Sequence, residues 1–306
     1  MRAKVVNSKF EKTNKVLKSI AKSKAILLGN GINRVQDARS WQDILIKICN
    51  INNIHVEVKE NKSYPLTFEE ILFSMKGDFN TNLRELKQYI ANSLKDYGPF
   101  QLHTQIVNLE CTDILTTNYD YALEKVINNN YSGVINPGNS EYKFSLYRKN
   151  DITEKNIWHI HGELNTGFNG SELFPELSIM IGFEHYSDYL RKIHQLVKPD
   201  DAGFTNFLES DKDTWVKRFF THNIDIIGFS FEYSESHIWW LLNYRARLKN
   251  QGIDFNNIIK YNYPDFEEDL LKDRLDLMKS FGVHLNPIIV NNNDYHQFWT
   301  KFITDF

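Results

Sequence analysis

Three residues of this chain, each just past an apolar run, have side chains suited to chemistry. They are Asn118 and Asp120 in DILTTNYDYALE (Asp113–Glu124) and His161 in WHIHGEL. A carboxamide orients a water or a hydroxyl without moving a proton. An imidazole, with an ordinary pKa near ~6.5, accepts a proton at neutral pH. Two further stretches place glycine in the equivalent position: Gly29-Asn30-Gly31-Ile32-Asn33 after Ala25–Leu28, and Gly228-Phe229-Ser230 after Ile224–Ile227. Apolar runs that end in glycine or small polar groups, four times in this order, form a nucleotide-site pattern. Each has a plainer reading when taken alone. Asn118 or Asp120 caps a helix, Gly29-x-Gly31 makes a tight turn, and His161 is a hydrogen-bonded histidine at a strand end. His159 shares a strand face with His161, and His-x-His binds metals in some proteins. No acidic residue stands at a telling spacing, so His159 reads as structural and no metal is expected.

These residues need strands that end together, and the chain supplies them. Ala25–Leu28, Asp113–Thr116, Asn156–His161, Ser178–Ile181, Ile224–Ile227 and Asn257–Lys260 read as strands. Val283–Val290 reads as an edge strand, because Pro287 interrupts it. Glu141–Tyr147 alternates as a half-exposed strand would. Helices are expected where Ser40 and Asp43, and Thr67 and Glu70, form capping boxes. Others follow from the spacing of Leu83, Leu86, Ile90 and Leu94, over Gln101–Leu109, after Asp120, around Tyr186 and Tyr189, and around Trp215 and Phe219. The last two carry Ile238 to Leu248 and, with Asp265 as cap, Leu271 to Met278. The pattern predicts an α/β fold with a Rossmann-like, mostly parallel sheet, helices on both faces and helical insertions. It is expected to be one domain over 1–306, with a basic amphipathic helix at 8–23 and a helical insertion at about 50–110. Gly29-x-Gly31 is not a dinucleotide fingerprint, because Arg34 stands where a third glycine belongs, and no Lys-Ser or Lys-Thr pair makes it a P-loop.

Composition narrows the field. At 306 residues, 42% apolar and 25% charged, the chain is an ordinary globular protein, rich in aromatic side chains. A net charge of -3 gives no ground for a nucleic-acid partner. Two cysteines exclude a disulfide scaffold and a four-cysteine zinc site. No apolar run is long enough for a signal sequence or a membrane span, so the expected location is cytoplasmic.

The motifs resemble those of the sirtuin-like family of NAD-consuming enzymes. GNGIN is similar to the family's first glycine-rich loop, TTNYD to its Thr-Gln-Asn-Ile-Asp, His161-Gly162 to its catalytic His-Gly, and GFS to its Gly-Thr-Ser. The likeness is closer still to bacterial antiphage members that destroy NAD, and Gly-Asn-Gly with Ile-His-Gly is shared with the abortive-infection family AbiH. Deacetylating sirtuins carry a four-cysteine zinc module between the histidine and Gly-Thr-Ser. Glu163–Asn223 contains no cysteine, which argues against protein deacylation and for no bound zinc.

The resemblance implies that the chain hydrolyses NAD to nicotinamide and ADP-ribose as an antiphage effector. Asn118 and His161 would be catalytic, and Gly29, Asn30, Gly31, Asn33, Thr117, Asp120, Gly228 and Ser230 would bind the dinucleotide. The nicotinamide leaves neutral, so a positioned amide and a base near the ribose suffice. Two other readings are a non-catalytic sensor of NAD or an ADP-ribose-type ligand, and a protein deacylase. An NAD-destroying enzyme must be gated, so a homo-oligomer or an activating partner protein is expected.

Overall fold

The computed structural model describes residues 10–35, 40–59, 62–131, 146–147, 149–152, 155–164, 178–198 and 203–306. Helix α1 (Glu11–Ser19) leads to strand β1 (Ser23–Leu28), in which Ala25–Leu28 are wholly buried. A strand covered on both faces reads as an unbroken apolar run. A 3₁₀ turn (Asn30–Val35) and four helices follow: α2 (Trp41–Ile51), α3 (Tyr64–Ser74), α4 (Phe79–Leu94) and α5 (Gln101–Val107). Then come β2 (Asp113–Thr116), α6 (Ala122–Ile127), β3 (Asn150–Ile152) and β4 (Lys155–His159). Three helices, α7 (Phe183–Val197), α8 (Gly203–Glu209) and α9 (Trp215–Thr221), precede β5 (His222–Ile227). The chain ends with α10 (Ser236–Asn250), β6 (Ile259–Pro264), α11 (Glu268–Ser280), β7 (His284–Ile288) and α12 (Tyr295–Asp305).

The strands form one sheet in the order β3-β4-β2-β1-β5-β6-β7. All neighbours pair in parallel except β3, which is antiparallel to β4 at one edge. From β1 the chain works outward through β2 and β4, then returns to lay β5 on the other side of β1. That reversal is a topological switch point, where an open α/β sheet leaves a crevice at its carboxyl edge.

The sheet is covered on both faces. Leu27, Leu115, Trp158 and Ile226 pack with α7 to α11, while Ile26, Ile114, Ile157 and Ile227 pack with α5 and α12. A third apolar cluster joins Leu45, Phe68, Ile71 and Leu86 of α2 to α4 with Tyr119, Tyr121, Ile179 and Ile181. The helices inserted between β1 and β2 therefore sit beside the carboxyl ends of β2 and β4. Architecture and sheet are those the sequence predicts, an α/β fold with a Rossmann-like, mostly parallel sheet.

Several elements differ in extent from the expectation. The chain leaves α1 at Ile20, whose backbone is extended, because β1 begins at Ser23; residues 8 and 9 lie outside the described residues. Helix α3 opens at Tyr64, not Thr67: Pro65 supplies the first-turn backbone, and the Thr67 hydroxyl donates back to the Ser63 carbonyl. The Ser40–Asp43 capping box is present, and it opens the inserted helices earlier than residue 50. Asp265 does not cap α11; a 3₁₀ turn intervenes, and its carboxylate accepts from the Val290 amide. Strand β6 lies two residues later than Asn257, and Ser178–Ile181 contributes only a bridge from Ile179 to Gly162. The expected strand over Glu141–Tyr147 falls on residues outside the described ones but for Leu146 and Tyr147, which are not in a strand.

Candidate active site

At the switch point the loops after β1 and β5 touch, and glycine is what lets them. A Cβ on Gly29 would lie 2.2 Å from the Gly228 carbonyl oxygen, and one on Gly31 would lie 2.7 Å from the Gly228 Cα. The Gly29 amide donates to Ile227 O (3.0 Å) and the Gly31 amide to Gly228 O (2.8 Å). These two N–H groups are thus committed to the β5 loop, and the glycines serve loop packing before any phosphate. Asn33 donates through its carboxamide to Asn30 Oδ1 (2.8 Å), leaving its own Oδ1 buried without a hydrogen-bond partner.

The loop after β2 is held by a buried histidine. His159 donates from Nδ1 to the Asn118 carbonyl and from Nε2 to Glu124 Oε1, both at 2.7 Å. Burial pulls this imidazole down, but the facing Glu124 carboxylate outweighs it and holds the ring up to about 9. His159 is therefore a charged clamp on the backbone of Asn118, the structural role its sequence context suggests. Within the same loop the Tyr119 hydroxyl donates to Met180 O (2.6 Å), and Asp120 accepts from the Ala122 amide (3.0 Å) at the start of α6. Asp120 is buried, and burial above all raises its carboxyl pKa.

His161 follows β4 in a turn that requires Gly162. That glycine has φ +88°, and a Cβ there would lie 1.6 Å from the Ser178 carbonyl oxygen. The Met180 amide donates to His161 O (2.9 Å), fixing the turn against the segment that precedes α7. The ring packs edge-on to Tyr186, with 5.5 Å between centroids. Its Nε2 lies 3.1 Å from His237 Nε2 and 3.0 Å from Glu235 Oε2. His237 is completely buried, and desolvation, followed by the neighbouring His161, holds its pKa well below the ordinary value.

These loops enclose a cleft whose empty space, open mouth included, is about 1260 Å³. Its wall takes Asn30, Gly31 and Arg34 from the first loop, Ser40, Trp41, Tyr64 and Pro65 from the inserted helices, and Thr117 and Tyr119 from the second loop. His161, Tyr186, Gly228, Phe229, Ser230, Glu235, Asn262, Tyr295 and Trp299 are also part of the wall. Arg34 brings a cation, its Nη1 3.9 Å from Glu267 Oε1. Asn262 spends its amide on Asp225 and Ile226 O and accepts from Asn286.

Of the ten residues singled out from the sequence, the cleft brings together Asn30, Gly31, Thr117, His161, Gly228 and Ser230. Gly29, Asn33, Asn118 and Asp120 are not among the described residues that line it. Asn118 sits between two that do, Thr117 and Tyr119. Sequence reasoning missed Glu235 and His237, and it used Tyr186 only to place a helix. The available signal was Glu-x-His opening a helix five residues beyond Gly228-Phe229-Ser230.

Residues 112–247 match the family model of the SIR2-like domain. The match takes in the loop after β2, His161-Gly162, Gly228–Ser230 and the Glu235–His237 pair, and β1 with its glycine loop lies outside it. It supports the sirtuin-like resemblance and fits an NAD-related function. No curated protein matches the chain. No helix among the described residues is long and apolar enough to cross a membrane.

Proposed function

We propose that the chain is an NAD hydrolase that cleaves the nicotinamide–ribose bond and serves as the NAD-depleting effector of a cytoplasmic antiphage system. One observation carries the reading: the SIR2-like match spans three of the four strand-end motifs, and His161 lines an open cleft at the switch point of the sheet. Cleavage builds positive charge at the ribose C1′ while nicotinamide leaves neutral. His161 takes the proton of the attacking water or of a ribose hydroxyl. Asn118, its backbone clamped by His159, holds that water or the ribose in line. Asn30, Thr117 and Ser230 offer hydrogen bonds to ribose and phosphate. Gly29, Gly31 and Gly228 keep the floor low enough for the dinucleotide, and Asn33 and Asp120 shape the two loops.

The chemistry uses no metal, so chelators are expected to leave nicotinamide release intact. Regulation by self-assembly or by an activating partner protein is part of the reading, because uncontrolled NAD cleavage would kill the host. Incubating purified protein with NAD and quantifying free nicotinamide and ADP-ribose tests it. Absence of nicotinamide under all assembly conditions sinks it. The absence of Asn118 from the described residues lining the cleft favours a second reading, a sensor that binds NAD or an ADP-ribose-type ligand without turnover; saturable binding with no product would establish that instead.

A further inference from the structure

Two imidazoles and a carboxylate meet beside the cleft, and hydrogen bonding accounts for the contact between the imidazoles but not for those of the carboxylate oxygen. His161 Nε2, His237 Nε2 and Glu235 Oε2 are separated by 3.1, 3.0 and 3.9 Å. The residues are 4%, 0% and 9% exposed. Although Glu235 Oε2 is 3.0 Å from an imidazole nitrogen, it has no hydrogen-bond partner, because the N–H direction misses it. A buried carboxylate oxygen left this way is costly. A cation resolves the geometry. A point about 2.0 Å from all three atoms is consistent with these separations, and that is the bond length of zinc to imidazole nitrogen and carboxylate oxygen.

We propose that His161, Glu235 and His237 form a binding site for a divalent transition metal of the zinc class, and that its occupancy switches the active site off. Two neutral imidazole nitrogens and one carboxylate suit zinc, nickel or cobalt better than calcium or magnesium, which take oxygen ligands. Three protein ligands leave the ion a further position open. His161 and Glu235 both line the cleft, so the ion reaches its ligands from there. Coordination ties up His161 Nε2 and lowers the basicity of the ring. On the proposed NAD-hydrolase reading, on which this regulatory half rests, the imidazole then no longer takes the proton. The metal is an inhibitor here, not a cofactor.

The full chain, stripped with a chelator, is titrated with Co²⁺ and followed by visible absorption, with zinc as competitor. Expected is a ligand-field spectrum that saturates at one ion per chain and disappears on adding zinc. Glu235→Gln and His237→Ala should each weaken cobalt binding roughly tenfold or more. Glu235 stands at the cleft wall, so Glu235→Gln should melt like the parent and report on binding even if His237→Ala fails to fold. No saturable spectrum, or one that Glu235→Gln leaves unchanged, overturns the site. Zinc should depress nicotinamide release by the parent, and whatever release Glu235→Gln retains should be insensitive to it; stimulation by zinc overturns the regulatory half. Cobalt binding without any nicotinamide release keeps the site and removes the NAD-hydrolase reading.

Discussion

The two ends of β2 handle buried charge in opposite ways. At its amino end Asp113 is almost fully buried and saturated. It accepts from Trp158 Nε1 (2.8 Å), Asn156 Nδ2 (3.1 Å), Arg218 Nε (3.0 Å) and Thr112 Oγ1 (2.8 Å). At the carboxyl end of the sheet, Glu235 Oε2, His237 Nδ1 and Asn33 Oδ1 are buried with no hydrogen-bond partner. Native proteins leave few such atoms, and each calls for an explanation. The Asp113 cluster is satisfied by groups of the fold, whereas the cluster around Glu235 and His237 leaves polar atoms unpaired. Both ends use the same kinds of side chain, so residue type alone does not distinguish a structural polar cluster from a functional one.

The sharpest way to break that comparison is at Asp113. Burial pushes its carboxyl pKa up, but His222, Arg218, Trp158 and Thr112 more than offset this and hold it well below the carboxylate range. Asp113→Ala removes one of the two carboxylates that meet the Arg218 guanidinium, Asp213 remaining, and leaves the buried Trp158 Nε1 without its acceptor; it should cost about 3 kcal/mol. Chemical denaturation measures that loss. Nicotinamide release per folded molecule should be unchanged, and a comparable loss of turnover would mean that the two ends are not separate.

His159 lies between the two, saturated like Asp113 yet next to the active loop, and it makes stability depend on pH. Its pKa rises from 6.5 to about 9 on folding. A raised histidine stabilises fully below its unfolded value and loses that contribution as pH climbs through the folded one. Unfolding free energy should therefore fall by up to about 3 kcal/mol between neutral pH and pH ~10. Denaturation curves across that range test it, and His159→Gln should flatten the dependence. An equal slope in His159→Gln would assign it to another group.

Catalysis tests the unsatisfied end directly. His161→Ala and Asn118→Ala should each lower nicotinamide release roughly 10²-fold, about 2.7 kcal/mol, with a smaller fall in melting temperature than Asp113→Ala. A drop for His161→Ala alone would show that Asn118 takes no part in the reaction.

How much of this the sequence carried depended on burial. β1, β2 and β5 were legible because strands buried on both faces cannot hide their apolar runs. β6 was placed too early because Asn262 and Pro264 interrupt its apolar pattern, and their reason is tertiary: Asn262 ties β5, β6 and β7 together. α12 escaped notice although Asp294 caps it and Phe298, Trp299 and Phe302 share its buried face, because the edge strand before it looked like the end of the sheet. The motif loops were legible one at a time. Their convergence, and the meeting of His161 with Glu235 and His237, is set by strand order. Residues 76 positions apart meet only because β5 returns to the side of β1. The capping boxes show the limits of local signals. Ser40–Asp43 behaves as written, whereas at Thr67 the tertiary fold and Pro65 start the helix earlier.

The smallest expected effect concerns Asp120, which the sequence offers both as a ribose contact and as a helix cap. Its Oδ1 accepts from the Ala122 amide at 3.0 Å, the side chain is buried, and it is not among the described residues lining the cleft. That is an Asx-type bond one residue ahead of Tyr121, the N-cap of α6, and Asn118, the other candidate, gives α6 no such bond among the described contacts. Losing that bond costs about 1 kcal/mol. Asp120→Ala should lower stability by that amount, and Asp120→Asn, which keeps an acceptor, by less. Both should turn over NAD within a few-fold of the parent once corrected for the folded fraction. Asp120 would then belong with the satisfied polar groups even though it stands at the carboxyl edge. A loss of nicotinamide release in Asp120→Asn on the scale of His161→Ala, with stability intact, would instead move it to the cleft and show that this loop rearranges when the dinucleotide binds.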